Sequence, residues 1–159
     1  MNIQYFGEQL IWGHLGRLLV VLSFTASMLA ACSFWFAVKT GDKSWRSLAR
    51  KSFYLHAGSV TGIAVLLIYL IVKHRFEYYY VWEHSNTQMP LRYILSCLWE
   101  GQEGSFLLWT FWHVVIGLIL QRTAKTFEAP VMSVISLVQA FLASMLLGIF
   151  IFEHRIGSN

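Results

Sequence analysis

Four long apolar stretches separated by shorter polar ones set the rhythm of this chain. They run over about residues 10–38, 53–72, 104–121 and 130–152. A helix rises about 1.5 Å per residue, so twenty residues cover about 30 Å, the hydrocarbon thickness of a bilayer. The third stretch is short alone from Ser105, and long enough to span only if its helix begins at Gly104. Inside lipid the backbone must satisfy its own hydrogen bonds, which makes these runs helices rather than open strands. Pro130 suits the first turn of the fourth, where its missing N–H costs nothing. The pattern predicts an all-α integral membrane protein. It has four transmembrane helices, a single membrane domain over 1–159, and one aromatic-rich loop at 73–103.

Composition agrees. Hydrophobic residues make up 57% of the 159 and charged ones only 13%, where soluble domains carry about 25% charged. The pI of about 9.2 would suit nucleic acid, but the placement of the charges argues otherwise. Lys39, Lys43, Arg46, Arg50 and Lys51 fall between the first two runs, and Arg122 and Lys125 between the third and fourth. Both segments then lie on one side. The positive-inside rule makes that side cytoplasmic, with both termini and the 73–103 loop outside. The basic charge reads as an orientation signal and a contact to anionic lipid, with no nucleic-acid motif beside it. Leu29-Ala30-Ala31-Cys32 has the form of a lipoprotein cleavage site, yet the apolar run continues through Val38, which argues for a helix residue at Cys32. Cys32 and Cys97 are read as free thiols.

The 73–103 loop holds Phe76, Tyr78, Tyr79, Tyr80, Trp82, Tyr93 and Trp99. Such rings favour the membrane–water boundary, so the loop is expected along the outer surface, with Leu91 to Trp99 its helical piece. It ends in Trp99-Glu100-Gly101-Gln102-Glu103-Gly104-Ser105, directly against the third run. Gly101 and Gly104 permit a turn into the membrane, and Ser105 or Glu103 can cap the new helix. A cap needs one such residue, so the crowding of Trp99, Glu100, Gln102 and Glu103 asks for more than a helix start.

Six histidines are candidate ligands. His74, His84 and His154 read as surface groups and His56 as a boundary residue near the inner end of the second span. His14 and His113 lie within spans, where an ionisable group is a functional candidate. A packed, hydrogen-bonded role suits His113 better than a haem shared with His14. Arg17 is expected to snorkel outward, or to pair with Glu8 or a loop carboxylate. The seven tryptophans fit an interfacial belt. No catalytic triad, phosphate loop or metal-spaced Cys/His set is present.

Ser85-Asn86, Pro90, Tyr93, Trp99, Gly101, Glu103-Gly104-Ser105 and Leu107-Leu108-Trp109 together resemble the CcmF/CcsA-type cytochrome c biogenesis proteins, in spacing as well as identity over 81–109. The resemblance implies a haem-handling membrane protein in the inner (cytoplasmic) membrane of a bacterium. Such a protein helps deliver and attach haem to apocytochrome c on the outer face, beside other cytochrome c maturation membrane proteins. It implies haem as cofactor, with Trp99, Gly101, Glu103, Gly104, Ser105 and Trp109 at the haem platform; His113, an ionisable group within a span, is a separate candidate for haem contact. No residue here is expected to be catalytic, because the nucleophiles are the apoprotein thiols. Three positions depart from the pattern. Gln102 stands where some relatives have histidine, Glu100 where glycine is frequent, and Met89 where leucine precedes Pro90. The family's W-G-x-x-W-x-W-D signature is absent, so the chain is expected to be the N-terminal part of a larger protein. The competing reading is a membrane anchor subunit of a respiratory complex binding b-type haem, with His14 and His113 as its sensitive sites.

Overall fold

The computed structural model describes residues 10–75 and 101–156 and, between them, Tyr78, Val81, Pro90, Tyr93, Ser96 and Trp99; side chains are described as far as Gly148. Four helices account for nearly all of it: α1 (Leu10–Thr40), α2 (Lys43–Val72), α3 (Gln102–Thr123) and α4 (Glu128–Ile156). Each is long and apolar enough to cross a membrane, and the chain is a multi-pass membrane protein.

The helix starts are set by local chemistry. Gly41 adopts φ +70°, a left-handed conformation that glycine enters without a Cβ penalty. Asp42 then caps α2 by accepting a hydrogen bond from the Ser44 amide at 2.8 Å. α2 therefore begins ten residues before the apolar stretch that announced it. Lys43, Arg46, Arg50 and Lys51 ride on its first turns instead of occupying a loop. Lysine and arginine are good helix formers, and each can extend its charge away from the apolar flank. A short 3₁₀ turn, Lys125–Phe127, joins α3 to α4. Glu128 opens α4 where a carboxylate meets the positive helix end, with Pro130 in the first turn.

α1 packs against α2 and α4, and α3 packs against the same two, with α2–α3 the thinnest of these interfaces. α1 and α3 thus face each other across a diagonal. The short connections at 41–42 and 124–127 bring the basic residues to one end of the bundle. α1, α2 and α4 have 31, 30 and 29 residues while α3 has 22. Measured from the shared basic end, α3 starts about 10–13 Å short of its neighbours.

Small residues bring α1 close to its partners. Ser23, Ala26, Ser27, Ala30, Ser33 and Ala37 are all buried, at the helical spacing that lets backbones approach in a lipid environment. Phe34, Phe53 and Met132 fill the space between α1, α2 and α4. The tightest approach of α3 is at Gly117, where a Cβ would lie 2.3 Å from the Phe53 ring. A second cluster forms at the other end, from Leu66, Leu70, Ile71 and Val81 with Trp12, Tyr69 and Tyr78 around it. The Gly13 amide donates to the Tyr78 hydroxyl at 3.0 Å, satisfying a first-turn donor of α1. Val81 is fully buried, so this part of the 73–103 segment packs into the bundle rather than lying along the surface.

Candidate functional site

The start of α3 divides the residues of the 99–109 motif between two faces. Gly101 is the N-cap, with extended backbone and no side-chain cap bond. Neither Ser105 nor Glu103 caps this helix, as their position had suggested; Glu103 lies in the first turn. The Ser105 amide donates to the Gly101 carbonyl at 3.1 Å. Its hydroxyl donates to the Trp99 carbonyl at 3.0 Å, so Ser105 ties the preceding segment to the helix. Gly101, Gly104 and Leu107 are buried, whereas Trp99 and Trp109 are 48% and 58% exposed. Gly104, Leu107, Thr110, Val114, Gly117 and Gln121 form the inward stripe of α3, and Trp109, Trp112, Ile116 and Ile119 the outward one. Phe106 meets Trp109 edge-on at 5.8 Å between centroids.

His113 sits one turn beyond Trp109 on the same outward side, half-buried. Its Nδ1 lies 2.9 Å from the Trp109 carbonyl. A carbonyl can only accept, so Nδ1 carries a proton and donates it there. This is the hydrogen-bonded role expected for His113. It is also the donor arrangement in which an imidazole binds a metal through Nε2 while Nδ1–H is oriented by a backbone oxygen. His14 is exposed on α1, across the diagonal, and the fold does not bring it to His113. Arg17 is exposed on α1. Cys32 is an exposed free thiol. Among the described residues no group of three His, Cys, Asp or Glu side chains could hold a metal ion. Ser85, Asn86, His84, Cys97 and Glu100 lie outside the described residues, as does the His154 side chain.

The site that sequence reasoning missed is His56. Instead of lining a boundary, it is fully buried between α1, α2 and α4. Its Nδ1 lies 2.9 Å from the Ser23 carbonyl and 3.1 Å from the Ser23 hydroxyl. Gln139 of α4, also fully buried, donates to the Thr110 carbonyl of α3 at 3.1 Å. Thr110 in turn donates to Phe106 one turn back, at 2.8 Å. Side chains from all four helices thus meet in a polar seam inside an apolar bundle. A half-buried ion pair joins α2 to α4 nearer the basic end, where Arg50, itself 45% exposed, grips Glu128 through both carboxylate oxygens. Glu128 is 1% exposed, which makes the forked guanidinium its needed counter-charge.

No family model matches the chain. It is 31% identical over 129 residues to the cytochrome c-type biogenesis protein CcmF of Haemophilus influenzae, covering 78% of this chain and 20% of that protein. It is 28% identical over 128 residues to CcmF of Escherichia coli K12, again 78% of this chain and 20% of that protein. To CycK of Rhizobium meliloti it is 28% identical over 134 residues, 82% and 19% of the two chains. Among solved structures, a cytochrome c haem lyase CcmF superposes with a TM-score of 0.79 at 24% identity, over 92% of this chain and 25% of that one. That likeness supports the four-helix fold. The chain spans about a fifth of the length of the curated relatives it matches. The resemblance read from residues 81–109 stands: this chain is related to CcmF-type cytochrome c biogenesis proteins.

Proposed function

We propose that this chain takes part in cytochrome c biogenesis, as part of a haem-handling membrane protein that helps attach haem to apocytochrome c on the outer face of a bacterial inner membrane. The observation that carries the reading is the division of the 99–109 motif. Its glycines and leucine build the helix junction, and its tryptophans face away from the bundle at the end where α3 starts. Outward tryptophans alone would fit an interfacial belt; what supports the reading is their place beside the buried glycine junction of the motif, at the start of α3.

In this reading Gly101 and Gly104 set the turn, and Ser105 holds the Trp99 segment to the first turn of α3. Glu103 bonds or orients neighbouring groups at the positive helix end. Trp99 and Trp109 offer flat apolar faces of the kind on which a porphyrin stacks. His113 fits haem iron as a ligand through Nε2, since Nδ1 is engaged by the Trp109 carbonyl. Bound haem would supply the vinyl groups that the apocytochrome thiols attack. The residues of this chain bind and orient, and none performs the chemistry. The partners are apocytochrome c and other cytochrome c maturation membrane proteins. The basic end faces the cytoplasm, with both termini outside, as the positive-inside rule requires.

The test is made in cells that depend on this protein. Trp99→Ala or Glu103→Gln should abolish holocytochrome c, read by haem staining of membrane and periplasmic fractions, at unchanged abundance of the protein. Normal holocytochrome c at equal abundance overturns the proposal. The anchor-subunit reading instead predicts loss of a b-type absorbance band after His14→Ala or His113→Ala.

A further inference from the structure

The basic end of α2 carries a feature that the outer motif does not use. Lys43, Arg46, Ser47, Arg50 and Lys51 line one shallow cleft on a single face of the helix. The last lysine lies eight positions after the first, so four cations lie within about 12 Å along the axis. The neighbouring carboxylates are already engaged. Asp42 accepts the Ser44 amide as the cap of α2, and buried Glu128 takes the Arg50 fork. Lys39, on the adjoining turn of α1, sits over the Trp35 ring at 5.1 Å. Lys43, Arg46 and Lys51 make no ion pair among the described residues. Three like charges this close repel one another unless an anion lies among them.

The same face continues toward the middle of the membrane as apolar surface. Tyr54 and Leu55 follow at the next turn, both 49% exposed, and then Gly58, where a Cβ would meet nothing within 4 Å. From Gly58 the face opens into a groove between α1 and α2 lined by Leu19, Thr61, Gly62, Val65 and Leu66. One helix face thus presents a cationic head region, an amphipathic tyrosine and then a smooth apolar track.

We propose that the Lys43–Lys51 face of α2 is a binding site for an anionic phospholipid. Its phosphate sits among Lys43, Arg46 and Lys51, and one acyl chain runs along Tyr54, Leu55 and Gly58. Charge complementarity selects the head, and the apolar continuation separates a lipid from free phosphate, which would gain nothing from it. Arg50 is fixed by Glu128 and acts as the rigid edge of the site. The proposal is independent of what the outer motif binds.

The experiment uses the full chain in detergent micelles with equal phosphatidylcholine and phosphatidylglycerol, with retained lipid counted by native mass spectrometry. The wild-type chain should keep phosphatidylglycerol in preference to phosphatidylcholine. The triple variant Lys43→Gln/Arg46→Gln/Lys51→Gln should lose that preference by at least about tenfold, given roughly one tenfold step or less per charge near an anionic surface. The control Arg122→Gln/Lys125→Gln, at the same end of the bundle, should keep it. Raising sodium chloride should strip phosphatidylglycerol from the wild type, a readout that needs no variant to fold. Equal retention by wild type and triple variant overturns the proposal. So does a salt-independent preference, or displacement of the lipid by millimolar inorganic phosphate, which would make the site one for free phosphate.

Discussion

The polar seam at the bundle centre and the outward stripe of α3 are made from similar means and reach opposite states. In the seam, Ser23, His56, Thr110 and Gln139 hide their polar groups and share them among helices. On the stripe, Trp109, Trp112 and Ile119 are each more than half exposed, and half-buried His113 bonds only the Trp109 carbonyl of its own helix among the described residues. The seam lies wholly inside the bundle and belongs to stability, although His56 Nε2 and Gln139 Oε1 have no hydrogen-bond partner there among the described residues. The stripe is complete only against something else, lipid or partner. Burial and exposure of chemically capable residues therefore separate the two kinds of role better than residue type does, since a histidine serves in each.

Substitutions can sharpen or break that contrast. Arg50→Ala should have the largest effect on folding, because it strands the buried Glu128 carboxylate; about 3–5 kcal/mol is expected, read as a lower midpoint in detergent-denaturation curves. His56→Ala should follow at about 2–3 kcal/mol, from the lost volume and the lost link to α1; a midpoint unmoved by this change would remove the seam from the stability account. Gly117→Ala should cost about 1–3 kcal/mol, since the new methyl meets a Phe53 ring that is itself fully buried; the double variant with Phe53→Leu should recover part of the loss. Trp109→Ala should change the midpoint least, by about 0.5 kcal/mol or less, as an exposed position does, yet abolish holocytochrome c. A large drop in stability with unimpaired maturation would reverse the roles assigned to the two regions.

How much of this could be read from the chain alone follows the same division. The four spans were legible because apolar runs of membrane length have few other uses. The start of α2 was not, since a helix whose first turns carry Lys43, Arg46, Arg50 and Lys51 shows no apolar period, and only the Gly41–Asp42 turn and cap mark it. The motif at 99–109 stood out as a pattern, but its split into two faces depends on the helical phase of α3. That phase is shared by the whole inward stripe, from Leu107 and Val114 against Ala57 and Val60 to Gly117 against Phe53. His56 was misplaced for a related reason. Its partner Ser23 lies 33 residues away on another helix, and no spacing within α2 announces the pairing. Ser23, Ser27 and Ser33 at helical intervals on α1 were the available signal, a polar-tolerant seam awaiting a partner.

The brevity of α3 has a consequence for the bilayer itself. Between Glu103 and Arg122 it offers eighteen residues, about 27 Å of uncharged length, against about 30 Å of hydrocarbon. Its longer neighbours impose no such shortfall. Lipids drawn in by a few ångström alongside α3 would cost fractions of a kcal/mol per ångström, and the dimple would fall on the flank where Trp109 and Trp112 face outward. A large amphipathic guest approaching that flank would find the polar surface already lowered toward it.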